Sequence, residues 1–267
     1  LPWQECWSGK LASSCIATIS KIIFGGNMSP PQQDLQEYPD TLLSAQSFLF
    51  VILAMGLGTF MAVMVLPAWM PHMAASLFGP DPKAYWYLSR GSAFVALSLL
   101  WASMALGLLL TNKMARSWPG VPAAFAVHEF ISLLGIGFSL FHALVLLGDR
   151  YINYDLAQVA IPFASSYEPV WVGLGQIGFY VMLILTLSFY VRQKIGQKAW
   201  RVIHYVSFLT YGMAFLHGLT SGSDTSLPWA QQYYWVSGGI LLFLLMYRIV
   251  VSFPAKKSLA PARVINE

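Results

Sequence analysis

Six uninterrupted apolar stretches constrain this chain more than anything else in it. They cover residues 43–66, 91–111, 122–147, 170–191, 199–219 and 232–253. Each is close to the ~20 residues an α-helix needs to cross a bilayer core. Strands of a membrane barrel would alternate apolar and polar positions over about ten residues, and these runs do not. Composition agrees: 57% of the 267 residues are hydrophobic and 10% charged, against about 45–50% and about 25% in a soluble domain. So little charge cannot cover a water-facing surface. The expectation is an all-α integral membrane protein, a six-transmembrane-helix bundle over residues 43–253, with a segment 1–42 before it and a tail 254–267 after it.

Charge gives that bundle a direction. Lys10, Lys21, Lys113, Arg116, Arg192, Lys194, Lys198, Arg201, Arg248, Lys256, Lys257 and Arg263 fall on one side of the expected topology, and only Lys83, Arg90 and Arg150 on the other. Twelve against three is the asymmetry of cytoplasmic loops rich in Lys and Arg, so both termini are expected in the cytoplasm. It also accounts for the net charge of +4 without nucleic acid as a partner. Met28 heads a hydrophilic stretch, MSPPQQDLQEYPD, and residues 1–27 are read as an upstream extension. A signal peptide fits them poorly, because Lys21 interrupts the apolar run and no A-x-A site follows. Cys6 and Cys15 form no CxxC and are expected to be free thiols. The aromatic-rich connections 67–89 and 149–169 are expected at the outer interface, where amphipathic rings favour the headgroups.

Four of the five histidines lie inside two of the apolar stretches. VHEFISLLGIGFSLFHALVLL carries His128 and His142, fourteen positions apart, and VIHYVSFLTYGMAFLHGL carries His204 and His217, thirteen apart. Ionisable groups at membrane depth are costly and face the bundle interior. One histidine could be explained by a hydrogen bond between helices; two matched pairs ask for more. The third and fifth helices run in the same direction, so His128 is expected opposite His204 and His142 opposite His217. At ~1.5 Å per residue the two levels stand ~20 Å apart, and each could clamp one haem iron. Phase is less even: at ~100° per residue, fourteen residues return to within ~40° of the starting face, but thirteen end ~140° away. A π-bulge, helix tilt or a different approach angle would reconcile the two, and Gly212 offers local freedom. Gly135, Phe208 and Tyr211 suit either a haem pocket or ordinary small-residue and aromatic packing, and Arg90, Arg150, Lys113, Arg116, Lys198 and Arg201 lie at helix ends where propionates would emerge, most of them read as topogenic charges.

Other chemistries fit less well. Zinc ligands converge within ~2.1 Å of one ion, whereas each helix holds its histidines ~20 Å apart. A proton pump would want several intramembrane carboxylates, and only Glu129 lies at depth in these stretches. Gly173, Gly175 and Gly178 spell G-x-G-x-x-G, but inside an apolar helix, where close packing is the expected role. His72 has no partner at its level and is expected at the interface.

Six helices with H-x13-H on the third and H-x12-H on the fifth resemble the ferric reductase-like transmembrane domain, shared by ferric reductases, NADPH oxidases and small bacterial haem-b subunits. The segment AWRVIHYVSFLTYGMAFLHG is similar to the family's pattern of a Trp shortly before the first ligand. The resemblance covers roughly residues 43–253. It implies that His128, His142, His204 and His217 are axial ligands of two haem b groups, and that electrons cross the membrane. Larger members continue into a flavin and NAD(P)H module, whereas this chain runs fourteen residues beyond Phe253. The expected function is therefore a diheme b-type cytochrome of the bacterial cytoplasmic (inner) membrane. It would take electrons from a separate flavoprotein or a membrane quinol and pass them to an acceptor, for example a periplasmic redox partner. The alternatives are a quinol-oxidising anchor subunit of a larger oxidoreductase and a haem-free transporter or structural subunit.

Overall fold

In a computed structural model, residues 43–69, 71, 84–112, 114, 120–149 and 152–252 are described. The expectations for residues 1–42, the two cysteines, His72, Lys83, Lys113, Arg116, Arg150, Tyr151 and the tail 254–267 lie outside them. Among the described residues the secondary structure is helical, without strands. Six helices are long and apolar enough to cross a membrane. We label them α1 (Ala45–Met64), α2 (Ala84–Thr111), α3 (Val121–Val145, continued by a 3₁₀ turn to Gly148), α4 (Pro169–Tyr190), α5 (Gln197–His204 and Val206–Ser221) and α6 (Pro228–Ser252). Helices satisfy their own backbone groups, which is why long apolar runs take this form in hydrocarbon.

The largest departure from the expected spans is at α2, which begins at Ala84 rather than near residue 91. Tyr85, Trp86, Tyr87, Ser89 and Arg90 therefore belong to the helix, not to a connection. Arg90 tolerates that position because its guanidinium is ion-paired to Asp224, with Nε donating to Oδ2 at 2.7 Å.

Helices α2 to α5 make the working part of the bundle. α2 packs along α3, α4 along α5, and α2 also contacts α5 and α6. α1 lies on α3, where Met55 sits so close to Gly137 that a side chain there would collide with it. α3 and α5 are not principal neighbours, so space remains between them. Outward, large apolar side chains are bare: Phe50, Leu53, Trp235, Phe243 and Val250 are each at least two-thirds exposed. Such a surface suits lipid rather than water. A buried cluster of Ala105, Leu108 and Leu241 ties α2 to α6, with Phe208 and Tyr211 packed against it. Those two aromatics thus serve helix packing. Gly135 does the same, because a Cβ there would stand 3.3 Å from Leu100 Cδ2 on α2.

Both histidine-bearing helices start at a glycine with positive φ, Gly120 at 96° and Gly196 at 84°, a conformation that glycine adopts without a steric penalty. α5 then departs from regular geometry at Tyr205. Its N–H is shared between the carbonyls of Arg201 and Val202, both at 3.2 Å, and Phe208 N–H donates to Tyr205 O at 3.2 Å. These i−3 bonds tighten the helix. Winding at 3₁₀ pitch adds ~20° per residue, so three such residues recover ~60° of the ~140° phase gap. The adjustment is an overwound turn at Tyr205, not a π-bulge, and Gly212 lies within the regular second segment of α5.

The connection between α3 and α4 folds onto the bundle. Its short helix Leu156–Ala160, capped by an Asp155–Gln158 capping box, lies against α4. Gln176 Nε2 donates to the carbonyls of Gln158 and Val159, each at 2.8 Å, and the Tyr180 hydroxyl donates to Ala160 O. Gln176 and Tyr180 are seven and eleven residues into α4, ~10 and ~16 Å along its axis. The last carbonyls of a helix have no partner within it, and these side chains supply one. Asn153, Phe163 and Glu168 take positive φ values of 56°, 67° and 41°, each costing about 1 kcal/mol or more. Phe163 lies over Gly173, where any Cβ would strike its ring and approach its backbone N. We predict that Gly173→Ala loosens residues 153–168 by about 1–3 kcal/mol. The measurement is limited proteolysis in detergent, with faster cleavage in that segment and the bundle otherwise intact.

Candidate functional site

The bundle brings the four histidines together in two pairs. The His128 and His204 rings are 6.3 Å apart centre to centre, and the His142 and His217 rings 6.1 Å, with interplanar angles of 76° and 66°. The expected partners do face each other, across the space that α3 and α5 leave open.

Hydrogen bonds determine which ring nitrogen is free. His142 Nδ1 lies 2.8 Å from the carbonyl oxygen of Ser89 and 2.9 Å from its hydroxyl. His128 Nδ1 lies 2.9 Å from the carbonyl of Ser103 and 3.2 Å from its hydroxyl. His217 Nδ1 lies 3.0 Å from the carbonyl of Trp171. A carbonyl can only accept, so the proton of each of these imidazoles is on Nδ1 and Nε2 carries the free lone pair. His204 is held differently: its ring stacks on Trp200, centres 5.0 Å apart and planes 25° apart, one helical turn earlier on the same face. Gly175 lies against His217, whose Cγ would be 2.7 Å from a Cβ at that position. The G-x-G-x-x-G glycines thus serve close packing, Gly175 for a histidine, Gly173 for Phe163 and Gly178 for Met213.

An imidazole nitrogen lies about 2 Å from a transition metal it ligates, so two imidazoles gripping one ion from opposite sides have ring centres about 6 Å apart. Both pairs have that separation. No group of three or more His, Cys, Asp or Glu side chains converges among the described residues, as a structural zinc site would need. What is present at each level is a pair of facing imidazoles, and for His128, His142 and His217 the Nδ1 hydrogen bond leaves the Nε2 lone pair free. A carbonyl behind the ring is the usual second partner of a metal-bound histidine.

The His142–His217 level also opens on a cavity of about 360 Å³. Apolar residues of α2 to α5, including Leu97, Leu100, Leu140 and Ala214, form most of its wall, and Arg90 and Asp224 lie at the α2 and α5 ends of it. Tyr154, Leu156 and Tyr167 of the infolded connection complete the lining. Tyr154 donates to Ser165 and Tyr167 donates to Ser221 O at 3.0 Å. Burial pushes both phenols above their ordinary range, an effect the Ser165 hydrogen bond partly offsets for Tyr154 and the Glu168 charge reinforces for Tyr167. They remain proton donors wherever the carbonyls and hydroxyls need them. An apolar slot with two facing imidazoles and a charged rim fits a flat amphiphilic macrocycle that carries a metal at its centre.

No family model, curated protein or solved structure matches this chain. The functional reading therefore rests on the residues of the site.

Ser89 and Ser103 did not stand out in the sequence. They are fourteen positions apart on α2, the spacing of His128 and His142 on α3, and the antiparallel packing of the two helices brings each serine to one histidine. Spacing alone could not have identified them, since Ser92 and Ser98 lie on the same helix. Of the cations expected near the pockets, Lys198 and Arg201 are exposed at the other end of the bundle, and Arg90 is engaged by Asp224. With side chains 27% and 12% exposed, that ion pair is only partly screened. We predict that Asp224→Ala costs about 1–3 kcal/mol, less than for a fully buried pair. Thermal unfolding in detergent would register it, and Arg90→Met in the same chain should recover part of the loss.

Proposed function

We propose that this chain is a diheme b-type cytochrome that relays single electrons across a membrane, with His128 and His204 as axial ligands at one level and His142 and His217 at the other. The observation that carries the reading is the two imidazole pairs with ring centres 6.3 and 6.1 Å apart, the separation of two rings that ligate one ion from opposite sides. The resemblance to the ferric reductase-like transmembrane domain agrees with it. When bound, haem iron supplies one-electron redox chemistry, and the protein supplies ligands, burial and orientation.

This chain's residues have definable parts in that function. Ser89, Ser103 and Trp171 hold three imidazoles in the tautomer that leaves Nε2 free, and Trp200 orients the fourth by stacking. The apolar wall excludes water from the His142–His217 level, which favours electron relay over side reactions. We infer from the charge asymmetry of the connections that the termini are cytoplasmic, which puts the His128–His204 level inside and the cavity level outside. The membrane is then the bacterial cytoplasmic membrane, the donor a separate flavoprotein or a quinol, and the acceptor on the outer side.

The test is spectroscopic. Purified protein should show a reduced-minus-oxidised b-type α-band with two haems per chain. His142→Ala should lose one of them and retain the other, and His142→Ala with His204→Ala should lose both. A preparation supplied with haem that shows no α-band would refute the reading and favour a haem-free transporter or structural subunit. Retention of both haems in His142→Ala would show the pairing to be wrong.

A further inference from the structure

The two levels share a device on α2 that the ligand assignment does not require. Each α3 imidazole is backed by one serine that presents two acceptors to the same N–H, its own carbonyl and its own hydroxyl. At the upper level of α2, Ser89 O and Oγ lie 2.8 and 2.9 Å from His142 Nδ1, and Ser89 Oγ–H donates to His142 O at 3.1 Å. At the other, Ser103 O and Oγ lie 2.9 and 3.2 Å from His128 Nδ1. Ser103 Oγ is 2.6 Å from Ser132 Oγ, whose hydroxyl donates to His128 O at 2.6 Å. With the Ser132 proton committed to that carbonyl, the Ser103 hydroxyl donates to Ser132 and keeps its lone pairs for the imidazole. Both serines are buried, at 3% and 8% exposure, so water does not compete for these contacts.

We propose that Ser89 and Ser103 are positioning residues that set the electron-donating strength of His142 and His128, one serine for each level. The inference rests on the haem reading above. An acceptor behind Nδ1–H draws the proton away from the ring and makes Nε2 a stronger donor. A stronger donor stabilises the oxidised metal and lowers the potential of its level. Among the described residues the α5 ligands are held differently: His217 is backed by the Trp171 carbonyl and His204 by the Trp200 ring. The two levels are therefore tuned separately, and each through α2.

The experiment uses the full chain in detergent, loaded with haem, and reads midpoint potentials by absorbance at poised potentials. His142→Ala, by removing one level, identifies which one-electron wave belongs to which pair. Ser89→Ala should raise only the His142–His217 wave, and Ser103→Ala only the His128–His204 wave. The expected change in the oxidised-to-reduced ratio is up to about tenfold, or about 59 mV for one electron. Ser→Thr, which keeps the hydroxyl, should return each wave toward its original position. If alanine lowers haem content at either position, Ser→Cys, a weaker acceptor of similar volume, is read in its place and should move the same wave upward. Waves that stay in place, one wave moved by both variants, or equal shifts for Ala and Thr would overturn the proposal while leaving the haem reading intact. Absence of the α-band in the parent protein would overturn both.

Discussion

A neutral imidazole inside a membrane has two nitrogens to satisfy, and no water with which to satisfy them. Most of what distinguishes this bundle from a generic set of six apolar helices follows from that constraint. Three of the four histidines give their Nδ1 proton to a carbonyl that a helix already uses for its own ladder. A carbonyl has two lone pairs, so it can accept a second donor without breaking the helix. With Nδ1 committed, the remaining nitrogen is a bare lone pair, and at both levels a second imidazole ring stands opposite, centres 6.3 and 6.1 Å apart.

The rest of the architecture holds those rings apart as much as together. α2 and α4 take up the close packing, with Gly135 and Gly175 allowing near approach, and so keep α3 and α5 separated. The infolded connection between α3 and α4 closes part of the cavity that results. It needs Gln176 and Tyr180 to satisfy carbonyls that water would otherwise serve, and it accepts backbone strain at three non-glycine residues. Arg90 lies in the first two turns of α2, where Asp224 reaches it from the α5–α6 turn.

Much of this was legible in the residues. Run length and the absence of period-two alternation specify six helices, because a bilayer core has a definite thickness and hydrocarbon offers the backbone no partner. Helix parity specifies which histidines are level with each other, because alternate spans run in the same direction. Parity cannot see local winding, so the thirteen-residue spacing looked out of phase until the overwound turn at Tyr205 was seen to absorb part of it. Nor can it see contacts outside the spans, so the packing of the aromatic connection against α4 became visible only in the structure.

By itself, then, the sequence determined the solvent, the number of crossings and the pairing of His128 with His204 and His142 with His217. Those follow from hydropathy, length and order along the chain. The tertiary structure decided the tautomer of three imidazoles, the two serines behind α3, the stacking of Trp200 on His204 and the cavity at the His142–His217 level. These depend on backbone carbonyls and on distances between helices. Every residue carries the same carbonyl, so its role becomes visible only when another helix is packed beside it.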